Sequence, residues 1–140
     1  MKKIIALYSL FIIFLITLLC WTEIQINRSS SLPYSVFFVV KNMPAHKGDF
    51  VSLKGHQTKY FKDTNFTKRL EGIAGDTVSC GAELKTETKH GKPLTELCTH
   101  VVPEGFVYVK ADHPDSFDSR YQEFGLVQKD HIFGRAFPLW

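Results

Sequence analysis

Three short segments, well separated along the chain, contain side chains that could take part in acyl-transfer chemistry. Residues 27–33 (NRSSSLP) hold three consecutive serines ahead of a proline, residues 68–76 (KRLEGIAGD) begin with a lysine, and residues 116–121 (SFDSRY) combine serine, aspartate and arginine. Each segment alone also fits an ordinary structural role: a linker, a charged strand end running into a glycine turn, and a polar loop with an Asp/Arg pair. Chemistry is indicated only if the fold brings them together.

A serine hydroxyl becomes an effective nucleophile only when a base removes its proton. None of the six histidines has a sequence neighbourhood that suggests a Ser-His-Asp arrangement, so lysine is the alternative base. A lysine amine acts as a base only when it is neutral, and burial against apolar side chains favours the neutral form. Lys68 lies between Phe66 and Leu70 in a segment with strand character, and we expect its amine to be desolvated there. Ser/Lys pairs are a known form of this chemistry.

The amino-terminal segment, residues 1–21, has the composition of a cytoplasmic tip and a membrane anchor. Residues 4–21 form an unbroken apolar run of eighteen residues without a charge, close to the minimum that spans a hydrocarbon core about 30 Å thick. A cleavable secretory signal would have a shorter apolar region and a small-x-small cleavage site, whereas CWTE ends this run. Lys2 and Lys3 precede it, so the positive-inside tendency places the amino terminus in the cytoplasm and residues 22–140 outside.

Residues 22–140 are predicted to form a mainly β domain. Aromatic and β-branched residues cluster in short runs with glycines between them, and these runs cover residues 34–41, 49–53, 106–109 and 131–133. Residues 80–98 are instead polar and rich in Lys, Thr and Glu, which predicts a small excursion from the domain. Cys80 and Cys98 at its base are expected to form a disulfide, since such bonds persist outside the cytoplasm; two free thiols are the alternative.

The composition argues against two other kinds of partner. Without Lys2 and Lys3, 15 basic residues remain against 14 acidic ones, and they are scattered, so no basic face for nucleic acid is indicated. The cysteines and histidines show no CxxC, HExxH or other metal-ligand spacing. We therefore expect neither a metal nor any other cofactor.

In this order, behind one apolar span, the three segments resemble the type I signal peptidase family, whose members are serine peptidases with a Ser/Lys dyad. The family's lysine box, KR-x-x-G-x-x-GD, is matched by residues 68–76 at every fixed position, and its S-x-DSR box by residues 116–120. Its serine, followed by an apolar residue and a nearby proline, is matched by residues 31–33, and a GRA-type terminal strand by residues 134–136. The resemblance covers residues 21–140.

The resemblance implies a compact all-β catalytic domain with one transmembrane helix in the bacterial inner membrane, the domain lying in the periplasm. Ser31 would be the nucleophile and Lys68 the general base, while Ser29 would contribute its hydroxyl to the oxyanion site. Three further residues would support this site from behind: Ser116, Asp118 and Arg120. The implied partners are a leader-bearing precursor protein, which is the substrate, and the membrane lipid.

Within the family, the chain resembles most the TraF-type peptidases of conjugative elements. The resemblance rests on N-x-[ST]-x-SLP at residues 27–33, HP-x-SFDSRY at residues 113–121 and a terminal PLW. Those enzymes mature a pilin precursor, and some join its ends into a circle. Ser35 departs from that branch, which usually has glycine there.

Two alternatives stay open: a housekeeping-type signal peptidase acting on exported proteins, and a non-enzymatic anchored component of pilus assembly. A self-cleaving repressor is disfavoured by the membrane span, and the absence of S-x-x-K excludes penicillin-binding chemistry.

Overall fold

The computed structural model describes residues 1–62, 64–79, 84–97 and 99–140. In these ranges a single long helix precedes nine strands, and a short 3-10 turn at Lys129–His131 leads into the last strand. The elements are α1 (Lys2–Trp21), β1 (Thr22–Ile26), β2 (Val36–Lys41), β3 (Phe50–Leu53), β4 (Phe66–Gly72), β5 (Thr77–Val78), β6 (His100–Val101), β7 (Phe106–Lys110), β8 (Val127–Gln128) and β9 (Ile132–Pro138).

Seven of the strands form one antiparallel sheet in the order β1-β2-β9-β3-β4-β7-β8, and β5 pairs with β6 in a separate ladder. The prediction of a mainly β fold with one amino-terminal apolar helix is therefore confirmed. The expected runs correspond to β2, β3, β7 and the start of β9. Strand β9 joins the run expected at residues 131–133 to the terminal strand implied at residues 134–136. It lies between β2 and β3, where Gly134 fits because a Cβ there would lie 2.2 Å from the carbonyl oxygen of Val40.

Helix α1 is long and apolar enough to cross a membrane over Lys3–Trp21. Its apolar side chains are exposed and do not pack on the sheet. Strand β1 begins at Thr22, directly after the helix ends at Trp21. Any surface that binds α1 therefore also keeps β1, the first strand of the sheet, close to that surface.

The sheet is strongly curled, and the curl brings its first strand over its middle. Strands β2 and β9 separate β1 from β3 in the hydrogen-bonding order, so a flat sheet would place β1 and β3 about 14 Å apart. Nevertheless the Ser52 hydroxyl donates to the Gln25 amide oxygen. The Lys54 ammonium also lies 2.8 Å from the Glu23 carboxylate. This closure carries the β1–β2 loop towards β4.

One face of the sheet packs against the main hydrophobic core, which includes Val51, Leu70, Val109 and Phe124. Side chains alternate between the two faces of a strand, so Phe66, Lys68 and Leu70 in β4 share a face. Phe66 and Leu70 both belong to this core. The backbone pattern alone therefore directs the Lys68 side chain into an apolar environment.

Two positions that follow Lys68, Gly72 and Gly75, require glycine, each for a different structural reason. A Cβ on Gly72 would lie 2.8 Å from Cγ1 of Val78, so only glycine allows this close packing. Gly75 has a φ of +90° in the turn between β4 and β5, a conformation that other residues rarely adopt. Asp76 closes the turn by accepting a hydrogen bond from the backbone N–H of Ile73 at 2.9 Å. Together they turn the chain sharply after β4.

Candidate active site

The serine cluster lies in the loop that joins β1 to β2. The backbone N–H of Asn27 donates to the carbonyl of Ser35 at 2.8 Å and closes the loop at its base. Leu32 is 5% exposed and packs with Phe37 and other apolar residues, so it anchors the loop in a second core cluster. The carbonyl of Ser31 accepts a hydrogen bond from the N–H of His113 at 3.1 Å. The loop is thus fixed at three points: by the hydrogen bond at its base, by the buried Leu32 side chain and by the hydrogen bond from His113 in a second loop.

The three serines of the loop have different surroundings. Ser31 is buried, with 8% of its surface exposed, whereas Ser29 and Ser30 are exposed. The hydroxyl oxygens of Ser29 and Ser31 lie 2.7 Å apart. The Ser29 hydroxyl also donates to Oδ1 of Asn27 at 2.8 Å. No hydrogen bond of the Ser30 side chain is present among the described residues.

Lys68 is buried in β4, with only 4% of its surface exposed. Its ammonium donates to the Ser116 hydroxyl at 3.0 Å. Burial lowers the pKa of Lys68 from 10.5 to about 8; the negative charge of Asp118 opposes this shift and the positive charge of Arg120 adds to it. With this pKa about a tenth of the amine is neutral at pH 7, whereas an exposed lysine is almost entirely charged there.

Ser31 and Lys68 line the same cleft, which has a volume of about 550 Å³. The walls of the cleft also include Phe61, Phe66 and Phe117. Within the described part of the chain, no hydrogen bond joins the Ser31 hydroxyl to the Lys68 amine. Catalytic hydrogen bonds are often long or poorly aligned until substrate is bound. A hydroxyl and a buried amine facing one cleft are the groups that acyl transfer by a Ser/Lys pair requires.

Asp118 and Arg120 form an ion pair behind the cleft, with an Nη2–Oδ2 distance of 2.7 Å and exposed fractions of 0% and 4%. Arg120 Nη2 also donates to the carbonyls of His113 and Ser116, each at 3.1 Å. Asp118 accepts a further hydrogen bond from the N–H of Ala111 at 2.9 Å. The pair therefore fixes the loop that contacts Ser31 through its backbone and Lys68 through a hydroxyl.

Arg69, the second residue of the lysine box, lies on the opposite face of β4 from Lys68. Its guanidinium contacts the carboxylate of Asp112 through two hydrogen bonds of 2.8 and 2.7 Å and lies 4.2 Å from the ring centre of Phe50. Arg69 does not line the cleft. These contacts tie β4 to the chain that leads from β7 towards Ser116.

Residues 84–97 form part of one wall of the cleft. The Lys85 ammonium lies 2.7 Å from the Asp115 carboxylate, and the backbone of Thr95 donates to the Glu123 carboxylate at 2.8 Å. The Tyr60 hydroxyl also donates a hydrogen bond to the carbonyl of Pro93 in this segment. The segment was expected as an excursion, but its position beside the site was not. The predicted Cys80–Cys98 disulfide lies outside the described residues.

Asn27 is the site residue that the sequence reasoning did not single out. Its side chain accepts hydrogen bonds from both the N–H and the hydroxyl of Ser29. Asparagine commonly bonds to the backbone two residues ahead, so the N-x-S spacing was the available signal. Among the described residues, no group of three or more His, Cys, Asp or Glu side chains could hold a metal ion.

The comparison with protein families gives one finding. The family model described as signal peptidase, peptidase S26, matches residues 1–140, the whole chain. No curated protein matches the chain.

Proposed function

The chain belongs to the signal peptidase family, peptidase S26, and on this premise we propose that Ser31 is its nucleophile and Lys68 its general base. Membership implies a serine peptidase of signal peptidase type, with a precursor protein as substrate. The observation that carries the residue assignment is the buried Lys68 amine, with its pKa lowered to about 8, facing the cleft that Ser31 also lines. A buried neutral amine is what a lysine base needs.

In the proposed reaction, the Ser31 hydroxyl attacks the carbonyl carbon of the scissile peptide bond while its proton passes to the neutral Lys68 amine. The oxyanion accepts hydrogen bonds from the Ser31 backbone N–H and the Ser29 hydroxyl. The C–N bond then breaks, and Lys68 gives its proton to the departing amine. Water attacks the resulting ester on Ser31, passes a proton to Lys68, and releases the new carboxyl terminus as the serine hydroxyl regains its proton.

Ser116, Asp118 and Arg120 are proposed to support this site. The Ser116 hydroxyl accepts a hydrogen bond from the Lys68 amine and so directs it. The buried ion pair holds the carbonyls of the loop that carries Ser116. These residues therefore act on the geometry of the base.

We propose that α1 anchors the domain in a bacterial inner membrane with residues 22–140 in the periplasm. Support comes from the apolar length of α1, from the two lysines that precede it and from the direct transition to β1 at Thr22. The serine loop begins after β1, a strand of five residues. A fully extended strand of this length spans about 17 Å, so the cleft stays close to the bilayer surface where a membrane-held precursor emerges.

For the natural substrate we propose a pilin precursor of a conjugative element. The support is the residue pattern N-x-[ST]-x-SLP with HP-x-SFDSRY and a terminal PLW. Release of the ester by the amino terminus of the pilin, in place of water, would give a circular product. Intact mass separates the outcomes, since a circle is lighter by one water than the linear chain. Restored growth of cells depleted of their own leader peptidase would instead support a housekeeping role.

The residue assignment is tested by cleavage of a leader-bearing precursor with the purified full chain in detergent micelles. Ser31→Ala and Lys68→Ala should each abolish cleavage while the variants stay folded, because each removes one member of the dyad. Ser30→Ala, the same substitution at an exposed neighbour, is the matched control and should cleave at the normal rate. Near-normal turnover by Ser31→Ala would show that the nucleophile is misassigned.

A further inference from the structure

The side chain of Asn27 is held in one orientation at the base of the serine loop. Its amide nitrogen donates to the carbonyl of Tyr34 at 3.2 Å. Its oxygen accepts the N–H of Ser29 at 3.1 Å and the hydroxyl of Ser29 at 2.8 Å. Because a carbonyl can only accept and an N–H can only donate, these contacts fix which end of the amide faces Ser29.

A count of protons then fixes the direction of the contact between the two serines. A hydroxyl has a single proton, and the Ser29 proton is donated to the Asn27 oxygen. In the 2.7 Å contact with Ser31, Ser29 must therefore accept, and Ser31 must donate. In this arrangement the Ser31 proton points to Ser29 and not to the Lys68 amine.

We propose that Asn27 is a positioning residue that holds the Ser29 hydroxyl beside Ser31. The Asn27 oxygen accepts the Ser29 proton until a substrate carbonyl replaces it as acceptor. When the Ser29 hydroxyl rotates to donate to the substrate, its oxygen can still accept from Ser31, so proton transfer to Lys68 requires the Ser31 hydroxyl to rotate as well. Exchange of one acceptor for another leaves the number of hydrogen bonds unchanged. Asn27 thus keeps the oxyanion donor in place without a permanent contact to the substrate.

This inference rests on the proposed roles of Ser31 and Ser29, and it makes a distinct prediction for a double-mutant cycle. Asn27→Ala should lower kcat with little change in KM, by at most the factor for Ser29→Ala, which is on the order of 10²–10³ for an oxyanion donor. In the Ser29→Ala background, where no hydroxyl remains to be positioned, Asn27→Ala should change kcat by less than about threefold.

A purely structural role of Asn27 would give a different result. The amide also supports the loop through Tyr34 and the Ser29 N–H, and both contacts persist in Ser29→Ala. If Asn27 acted only through them, Asn27→Ala would lower kcat by the same factor in both backgrounds. Equal factors, or wild-type kcat in Asn27→Ala, would overturn the proposal.

The cycle is measured on the full chain in detergent micelles with a leader-bearing precursor, and melting of each variant is recorded in parallel. Asn27→Ser is the second variant if Asn27→Ala melts early, because its hydroxyl can still accept the backbone N–H two residues ahead. The same dependence on Ser29 is expected for it, and equal factors would again overturn the proposal. Ser31→Ala distinguishes failure of the proposed nucleophile from failure of the proposed Asn27 role. Residual cleavage by Ser31→Ala refutes the nucleophile. If Ser31→Ala is inactive but Asn27→Ala lowers kcat equally in both backgrounds, only the positioning role of Asn27 is refuted.

Discussion

Replacement of Lys68 by methionine should stabilise the protein at neutral pH while it removes activity. Methionine fills a similar volume without a charge, and Lys68 lies with Phe66 and Leu70 on the core-facing side of β4. The pKa of Lys68 falls from 10.5 to about 8 because burial disfavours the charged amine. The folded protein therefore holds a destabilising charge at every pH below about 8.

The size of the effect follows from linkage. A pKa lowered from 10.5 to about 8 corresponds to about 3 kcal/mol of lost stability at pH 7, where the amine is charged in both states. Between pH 8 and 10.5 the unfolded state binds more protons, so wild-type stability rises with pH through this window. By pH 10 the remaining penalty is below about 1 kcal/mol.

The assay is urea unfolding of wild type and Lys68→Met in detergent micelles at several pH values from 7 to 10. The loss of the hydrogen bond to Ser116 adds a constant offset, so the change of the difference with pH is the informative quantity. Lys129→Met, at an exposed position, controls for the loss of a positive charge. An equal difference in stability between wild type and Lys68→Met at pH 7 and pH 10 would show that burial does not lower the pKa of Lys68.

Three further predictions concern activity and geometry. The proposed base Lys68 acts only in its neutral form, and its pKa is about 8, so kcat/KM should rise about tenfold per pH unit below pH 8 and level off above it; a flat profile between pH 6 and 8 would argue against this base. Ser29→Ala should slow cleavage by a factor on the order of 10²–10³ without abolishing it, whereas an unchanged rate would mean that Ser29 does not face the oxyanion. Asp118→Asn leaves Arg120 without its buried counter-charge and should cost roughly 3–5 kcal/mol, seen as a lower melting temperature; normal melting with complete inactivity would instead indicate direct participation of Asp118 in the reaction.

The burial of Lys68 could be predicted from its neighbours in sequence. Phe66 and Leu70 are apolar, and the period-two alternation of a strand puts all three side chains on one face. The same local reasoning identified most of β2, β3 and β7, whose aromatic and β-branched residues are strand formers. These features depend on residues close together in the chain.

Features that depend on distant pairings could not be predicted in this way. Strand β9 contains Gly134 and Pro138 and has little strand character beyond its first residues, yet it is central because β2 and β3 both pair with it. The curl that places Gln25 against Ser52 results from the twist of the whole sheet. The contact of Arg120 with the carbonyl of His113 likewise follows from the path of a loop.

If Ser31 is the nucleophile, as proposed, it carries the acyl group of the covalent intermediate, and that group can be located directly. The full chain in detergent micelles is incubated with a substrate peptide carrying an activated ester at the scissile bond, quenched in acid, digested and mapped by mass spectrometry. We expect a hydroxylamine-labile acyl group on Ser31, absent from Ser31→Ala and strongly reduced in Lys68→Ala. An acyl group on Ser29 or Ser30, with Ser31 unmodified, would contradict it.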